Sequence, residues 1–254
     1  MSDSEFLPVW KKHPGVAGTM IKAILSLTME VDRMKEDVLE KGAIIQADRE
    51  TYAVAPHIPG GFIGVAEFRQ LVNTAEKYNA VAMKMTSGQR IAVVGLKEED
   101  LDAFWEDVQM RIGYAIGLCV RMVKFCPGTT HCRHGKQDAM AVGLKLDKSH
   151  HGRMMSAKFK MAVAGCEYAC NAPLFKEIGL TGFPDGWRMS VGGTCGARPR
   201  LGDVIAEKLS DQEAIELTDR VVDFFQQGGF QQKVRLGRII EKIGLAEVKK
   251  TILG

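Results

Sequence analysis

Four of the six cysteines in this 254-residue chain stand in two close pairs, and few other features narrow its fold so far. Cys126 and Cys132 have five residues between them; thirty-three residues later come Cys166 and Cys170, with three between. Cys119 and Cys195 stand alone. Zinc knuckles use pairs two to four residues apart, so the first pair is too open for one. Four thiolates converging on an iron–sulfur cube suit the spacing better, and the turn Cys126-Pro127-Gly128 lets the chain wrap such a cube closely. A structural zinc site and a set of unliganded buried cysteines stay open as alternatives. Six cysteines are too sparse for a disulfide scaffold, and clustered cysteines without an export signal point to a metal or redox site.

The start, Met-Ser-Asp-Ser-Glu-Phe, lacks the basic and apolar regions of a secretory signal, and no run approaches the roughly 18 apolar residues that span a bilayer. A cytoplasmic setting is therefore expected, with no membrane partner. Overall charge is only +3, so nothing in the whole-chain balance calls for a polyanion.

Periodicity gives an α+β class. Apolar residues from Ile21 to Val38 recur at near-helical spacing, which predicts an amphipathic helix over Thr19–Lys41, stopped by Gly42. An extended stretch through Tyr52–Ala55 runs into the turn cluster Pro56-His57-Ile58-Pro59-Gly60-Gly61. A helix follows over Glu67–Tyr78, then short strands Val81–Met85 and Arg90–Gly95 around Thr86-Ser87-Gly88-Gln89, then a helix over Glu98–Ile112. This order predicts helices on one face of a small antiparallel sheet. Lys158–Gly165 reads as a strand delivered into Cys166. The segments Asp203–Leu209, Asp211–Gln227 and Val234–Leu253 read as helical. The expected division is 1–46, a helical segment; 47–118, a half-domain; and 119–254, the cysteine-bearing domain with its helical tail.

The segment Arg121–Lys160 carries nine Lys or Arg against two acids, far above the whole-chain balance. It lacks the interleaved aromatics of a nucleic-acid groove, so no nucleic-acid partner is expected. Lys158 and Lys160 occupy alternate strand positions, which puts two ammonium groups on one face.

The pattern Cys126-x5-Cys132…Cys166-x3-Cys170 resembles the signature of the sirohaem and 4Fe-4S sulfite and nitrite reductases. Its flanks add to the resemblance: Cys132-Arg133-His134-Gly135-Lys136-Gln137-Asp138, the Lys-x-Lys strand before Gly165-Cys166, and Gly192-Gly193-x3-Ala197-Arg198-Pro199-Arg200. Lys84-Met85-Thr86-Ser87-Gly88-Gln89-Arg90-Ile91 is similar to the segment of the family's ferredoxin-like half-domain that reaches the sirohaem. Larger members carry two copies of this module and usually an arginine where His57 stands; this chain has one copy, like the small reductases of anaerobes and the sirohaem module of NADH-dependent nitrite reductases.

The resemblance implies a ferredoxin-like half-domain followed by a sirohaem- and 4Fe-4S-binding α+β domain. It implies a cluster held by Cys126, Cys132, Cys166 and Cys170, with Cys170 also bridging to the sirohaem iron. Sirohaem carries eight carboxylates, and Lys84, Thr86, Gln89, Arg90, Arg133, Gly192, Gly193, Arg198 and Arg200 are the residues implied to hold it. Arg121, Lys158 and Lys160 are implied at the catalytic pocket, where clustered positive charge would hold an oxyanion as its bonds break. The activity implied is six-electron reduction of sulfite to sulfide, with electrons from an external donor protein. Nitrite reduction to ammonia and a non-catalytic electron-transfer module are the alternatives. The Thr19–Lys41 helix would suit a homodimer.

Overall fold

The computed structural model describes residues 35–254. Two sheets organise them, each with its own core. The first is antiparallel, in the order β1-β2-β4-β3, from Ile44–Ile45 (β1), Tyr52–Val54 (β2), Ala82–Met85 (β3) and Ile91–Leu96 (β4). Helices α1 (Val65–Lys77) and α2 (Leu101–Val108) pack on it. Their buried residues Leu71, Leu101, Phe104 and Val108 meet Tyr52, Val54, Val93 and Leu96. The strand alternation and helix periodicity of the sequence therefore resolve into one apolar layer.

The second sheet is mixed, with strands in sequence order: β5 (Val120–Phe125), β6 (Phe159–Ala164), β7 (Ile178–Phe183), β8 (Gly186–Val191) and β9 (Asp203–Leu209). Strands β5, β6 and β7 run parallel; β8 pairs antiparallel with β7, and β9 antiparallel with β8. The crossover between β5 and β6 carries α3 (Ala139–His150), capped by the Asp138 carboxylate, which accepts the Ala141 amide at 3.0 Å. After β9, a capping box between Ser210 and Glu213 starts α4 (Asp211–Gln227), followed by α5 (Leu236–Ile243) and α6 (Leu245–Leu253). Val123, Phe125, Phe159, Met161, Val163, Ile178 and Leu180 join the core that these helices cover.

Phe125 shows how tightly the two sheets meet. A Cβ at Gly60, in the half-domain turn, or at Gly143, in α3, would collide with its ring. Gly60 also takes φ +56°, where glycine alone is unstrained.

Three expectations change. Asp203–Leu209 is a strand, not a helix: it pairs with β8 through Trp187↔Leu209 and Val191↔Asp203, and that pairing overrides the helix-forming Ala206-Glu207-Lys208. The helix expected over Glu98–Ile112 ends at Val108, because Gln109 turns to φ +55°. Of the helix expected over Thr19–Lys41, residues up to 34 lie outside the described part. Within it, Leu39–Lys41 is a single 3₁₀ turn ended by Gly42 at φ +58°, and Val38 pairs with Ala43.

Candidate iron–sulfur and anion site

Parallel pairing aligns Phe125 with Val163, so Cys126 and Cys166 leave neighbouring strands at the same sheet edge. From there two loops fold onto each other. The amides of Lys136 and Gln137 donate to the Gly165 carbonyl at 2.7 and 3.0 Å, and the Gly165 amide donates to Cys126 Sγ at 3.1 Å. A Cβ at Gly165 would lie 2.8 Å from both Gly128 Cα and the Gln137 carbonyl oxygen, so only glycine lets the cysteine loops touch. A one-turn helix, Gly128–His131, joins Cys126 to Cys132. His134 stacks edge-on against Tyr168 across the two loops.

All six cysteines are free thiols. Cys126, Cys132 and Cys166 are half-buried and Cys170 is exposed. Among the described residues no three side chains converge as ligands on a single ion. A cube binds each thiolate at a separate iron and so needs a wider set. Four unpaired thiols on two loops locked together, one already accepting a backbone N–H, are the donor set a 4Fe-4S cube requires.

The face of β5 and β6 turned away from the helices carries the charge. Strand β5 reads buried, half-buried, half-buried, buried, half-buried, buried, because a register shift between Val120 and Met122 turns both Arg121 and Met122 off the core. Lys124 follows on that face, and Lys160 projects there from β6 while Phe159 goes into the core. Lys158 lies exposed just ahead of β6. Lys176 joins from the loop before β7, donating to the Ala172 carbonyl at 3.1 Å.

Burial, joined by neighbouring cations for Lys160 and Lys176, lowers the pKa values of three of these groups. Burial pushes Lys124 down. Burial and then Arg235 lower Lys160, with Lys158 and Arg121 adding to it. Burial, Lys124 and Lys160 lower Lys176. Among the described residues none of these three lysines has a carboxylate at ion-pair distance, so the cluster is a ready counter-charge for a bound anion.

The other residues singled out from the sequence occupy varied surroundings. Gln89, at φ +58°, clamps the backbone of Phe125, donating to its carbonyl at 2.9 Å and accepting its amide at 3.1 Å. Thr86 bonds both the amide and the carbonyl of Arg90. Arg90 is buried and donates to the Arg121 carbonyl; burial brings its pKa down to about 10. Thr86, Gln89 and Arg90 line, with Ile58, Gly60 and Met85, a cavity of about 420 Å³. Lys84 and Arg198 are exposed, and Arg133 is exposed with its Nε on His134 at 3.0 Å. Arg121 Nε donates to the Gly117 carbonyl at 3.0 Å. Arg200 is engaged by Asp203, Glu241 and the Gly192 carbonyl. Gly192 and Gly193 serve packing of the chain on itself: a Cβ at Gly192 would lie 2.5 Å from Ile240 Cδ1, and one at Gly193 would strike the Leu174 carbonyl.

His57 is buried against Asp147 at 2.8 Å and stacks on His151, their ring centroids 3.6 Å apart. Cys119 is buried, and burial raises its pKa. Cys195 is exposed. A cavity of about 670 Å³ is lined by Lys41, Trp105, Tyr114 and His151 and includes none of the cysteines.

Sequence reasoning gave no role to Lys124, Lys176, Glu177 or Arg235. Lys124 was visible as the residue alternating with Cys126. The others become partners only through folding.

Fold and site define an α+β protein with four free thiols on two joined loops, the donor set of an iron–sulfur protein, and a cation cluster on the adjoining strands. The model of the nitrite and sulphite reductase 4Fe-4S domain matches residues 116–253, and that of the nitrite/sulfite reductase ferredoxin-like half domain matches residues 44–111. The chain belongs to the nitrite and sulfite reductase family. It is 36% identical over 214 residues to an assimilatory-type sulfite reductase of Nitratidesulfovibrio vulgaris, covering 84% of this chain and 98% of that one. It is 36% identical over 224 residues to an NAD(P)H nitrite reductase of Bacillus subtilis, covering 88% of this chain but 28% of the relative. The fold matches the Mycobacterium tuberculosis NirA protein with a TM-score of 0.72 at 18% identity, over 80% of this chain and 39% of that one. It matches dissimilatory sulfite reductase I with a TM-score of 0.71 at 12% identity, over 80% and 69% of the two chains.

The family implies a 4Fe-4S cluster and sirohaem. The free cysteines suit the first, and the exposed cations Lys84, Arg133 and Arg198 suit the carboxylates of the second. Among the described residues no helix is long and apolar enough to cross a membrane.

Proposed function

We propose that this chain reduces sulfite to sulfide. Each sulfite would take six electrons and six protons and release three waters, with electrons arriving one at a time from a separate donor protein. The observation that carries this reading is the placement of an unpaired cation cluster on the same sheet face whose edge leads into both cysteine loops. The near full-length similarity to an assimilatory-type sulfite reductase favours sulfite over nitrite.

Cys126, Cys132, Cys166 and Cys170 would hold the cluster. Sirohaem, when bound, supplies the iron at which the substrate is reduced. Around it, Arg121, Lys158 and Lys160 would bind the oxyanion and offset charge released as S–O bonds break. Lys160, whose pKa burial and then Arg235 lower, would also give up a proton more readily than a free lysine. Lys84, Arg90, Arg133 and Arg198 would meet macrocycle carboxylates. Gln89 and Thr86 would act by fixing the backbone around Phe125 and Arg90, and Gly192, Gly193 and Arg200 by holding the loop that follows β8. A boundary at 118/119, which the two separate cores support, a half-domain that takes in β1 ahead of residue 47, a cytoplasmic setting and a homodimer complete the proposal.

Anaerobically purified protein should contain iron, acid-labile sulfide and tetrapyrrole, and when reduced should convert sulfite to sulfide. Ammonia from nitrite, with no sulfide, would establish the second reading, which the similarity to nitrite reductases favours. Neither product from fully loaded protein would make the chain a non-catalytic module.

A further inference from the structure

Glu177 is the most deeply buried acid beside the cation cluster, 1% exposed, and neither periodicity nor motif gave it a role. It lies one residue before β7, opposite the start of β6, where the parallel ladder begins with Met161↔Ile178. Its Oε2 accepts the Lys160 amide at 2.9 Å, standing in for the main-chain acceptor that the ladder lacks at its first position. Its Oε1 takes the Arg235 guanidinium through both Nε and Nη2. Arg235 is itself the residue before α5, in a connection pinned to the β6 side by the Lys233 amide on the Ser156 carbonyl at 2.8 Å. One carboxylate thus joins the start of a catalytic strand to a cation delivered by the C-terminal helices.

We infer that Glu177 and Arg235 are a positioning pair for Lys160, fixing where its ammonium stands and setting the charge it feels in the anion pocket. The inference rests on the sulfite-binding reading above. The groups facing Lys160 are Arg121 from β5, Lys158 ahead of β6, Lys176 and Glu177 ahead of β7, and Arg235 ahead of α5. Among them Arg235 is the strongest neighbour lowering its pKa, and Glu177 is the one acid raising it.

The test is sulfite binding to oxidised holoprotein, followed by visible absorption from pH 6 to 10.5, with thermal melts alongside. Glu177→Gln keeps an oxygen for the Lys160 amide but removes the charge. The alkaline limit of binding should then move to lower pH, by about half to one unit. Arg235→Gln removes the repulsion and leaves the carboxylate, so the limit should move to higher pH. If that variant does not fold, Glu177→Gln/Arg235→Gln avoids an unpaired buried carboxylate, and its limit should fall near that of the wild type. Melting losses in both single variants with unmoved limits, or limits moving in the same direction, would overturn the inference. A wild type that binds no sulfite would instead overturn the proposed function.

Discussion

Replacing Gly165 by alanine isolates the contact that brings the cysteine loops together. The new Cβ would lie 2.8 Å from Gly128 Cα and 2.8 Å from the Gln137 carbonyl oxygen, with Ala139 Cβ at 3.4 Å. The first two neighbours are backbone atoms and cannot swing aside. Since carbon atoms pack at about 3.5 Å or more, the loops must separate by roughly 0.7 Å. Overpacking of this kind costs about 1–3 kcal/mol, which for a domain of this size is a fall of roughly 3–9 °C in melting temperature. Gly165 has ordinary negative φ, and alanine keeps its N–H for Cys126, so neither backbone strain nor the N–H···S bond confounds the result. The larger effect should fall on the cluster, because one loop carries Cys126 and Cys132 and the other Cys166 and Cys170. Iron and acid-labile sulfide per chain should drop below half of the wild-type value in anaerobic preparations. Gly64→Ala is the control, its Cβ meeting only the Glu67 carboxylate at 3.3 Å. Full cluster content and an unchanged melt in Gly165→Ala would refute the claim that this contact seats the cluster.

Three further outcomes are expected. Burial and then the stacked His57 lower the His151 pKa to about 4, so between pH 6.5 and 4 the unfolded chain binds the proton that the folded chain refuses. Stability should therefore fall across that window as the solution is acidified, by about 2 kcal/mol after allowance for partial exposure, and urea titrations should show this fall flattened in His151→Phe. Gln89→Leu removes both side-chain bonds to Phe125 and should cost about 2 kcal/mol in chemical denaturation, with unchanged stability arguing that the clamp is unimportant. In cofactor-free protein the lowered pKa values of Lys124, Lys160 and Lys176 mean that the folded state sheds protons before the unfolded one, so stability should rise with pH approaching 10.5. Sulfite affinity of the holoprotein should fall over the same range, and a flat affinity would argue against lysine ammonium groups as its ligands.

Local pattern failed where pairing partners were distant. Asp203-Val204-Ile205-Ala206-Glu207-Lys208-Leu209 has the composition of a helix, yet Lys208 adopts φ +57° and the segment closes the edge of the second sheet. A signal was present in the capping box of Ser210 and Glu213, which starts a new helix immediately afterwards. The resemblance implies a cofactor role for the glycines at 192 and 193, and the structure adds that Ile240 and Leu174 crowd them. The absence of a side chain identifies a crowded backbone without naming what crowds it.

The sequence by itself determined the four thiols, their spacing, the basic segment beside them and the alternation that puts Lys158 and Lys160 on one face, because ligand chemistry and strand periodicity are properties of short stretches. Tertiary structure decided which charges share the pocket. Lys124, Lys160, Lys176, Glu177 and Arg235 come from separate strands and connections, and their electrostatic coupling depends on distances that only sheet register and helix docking set.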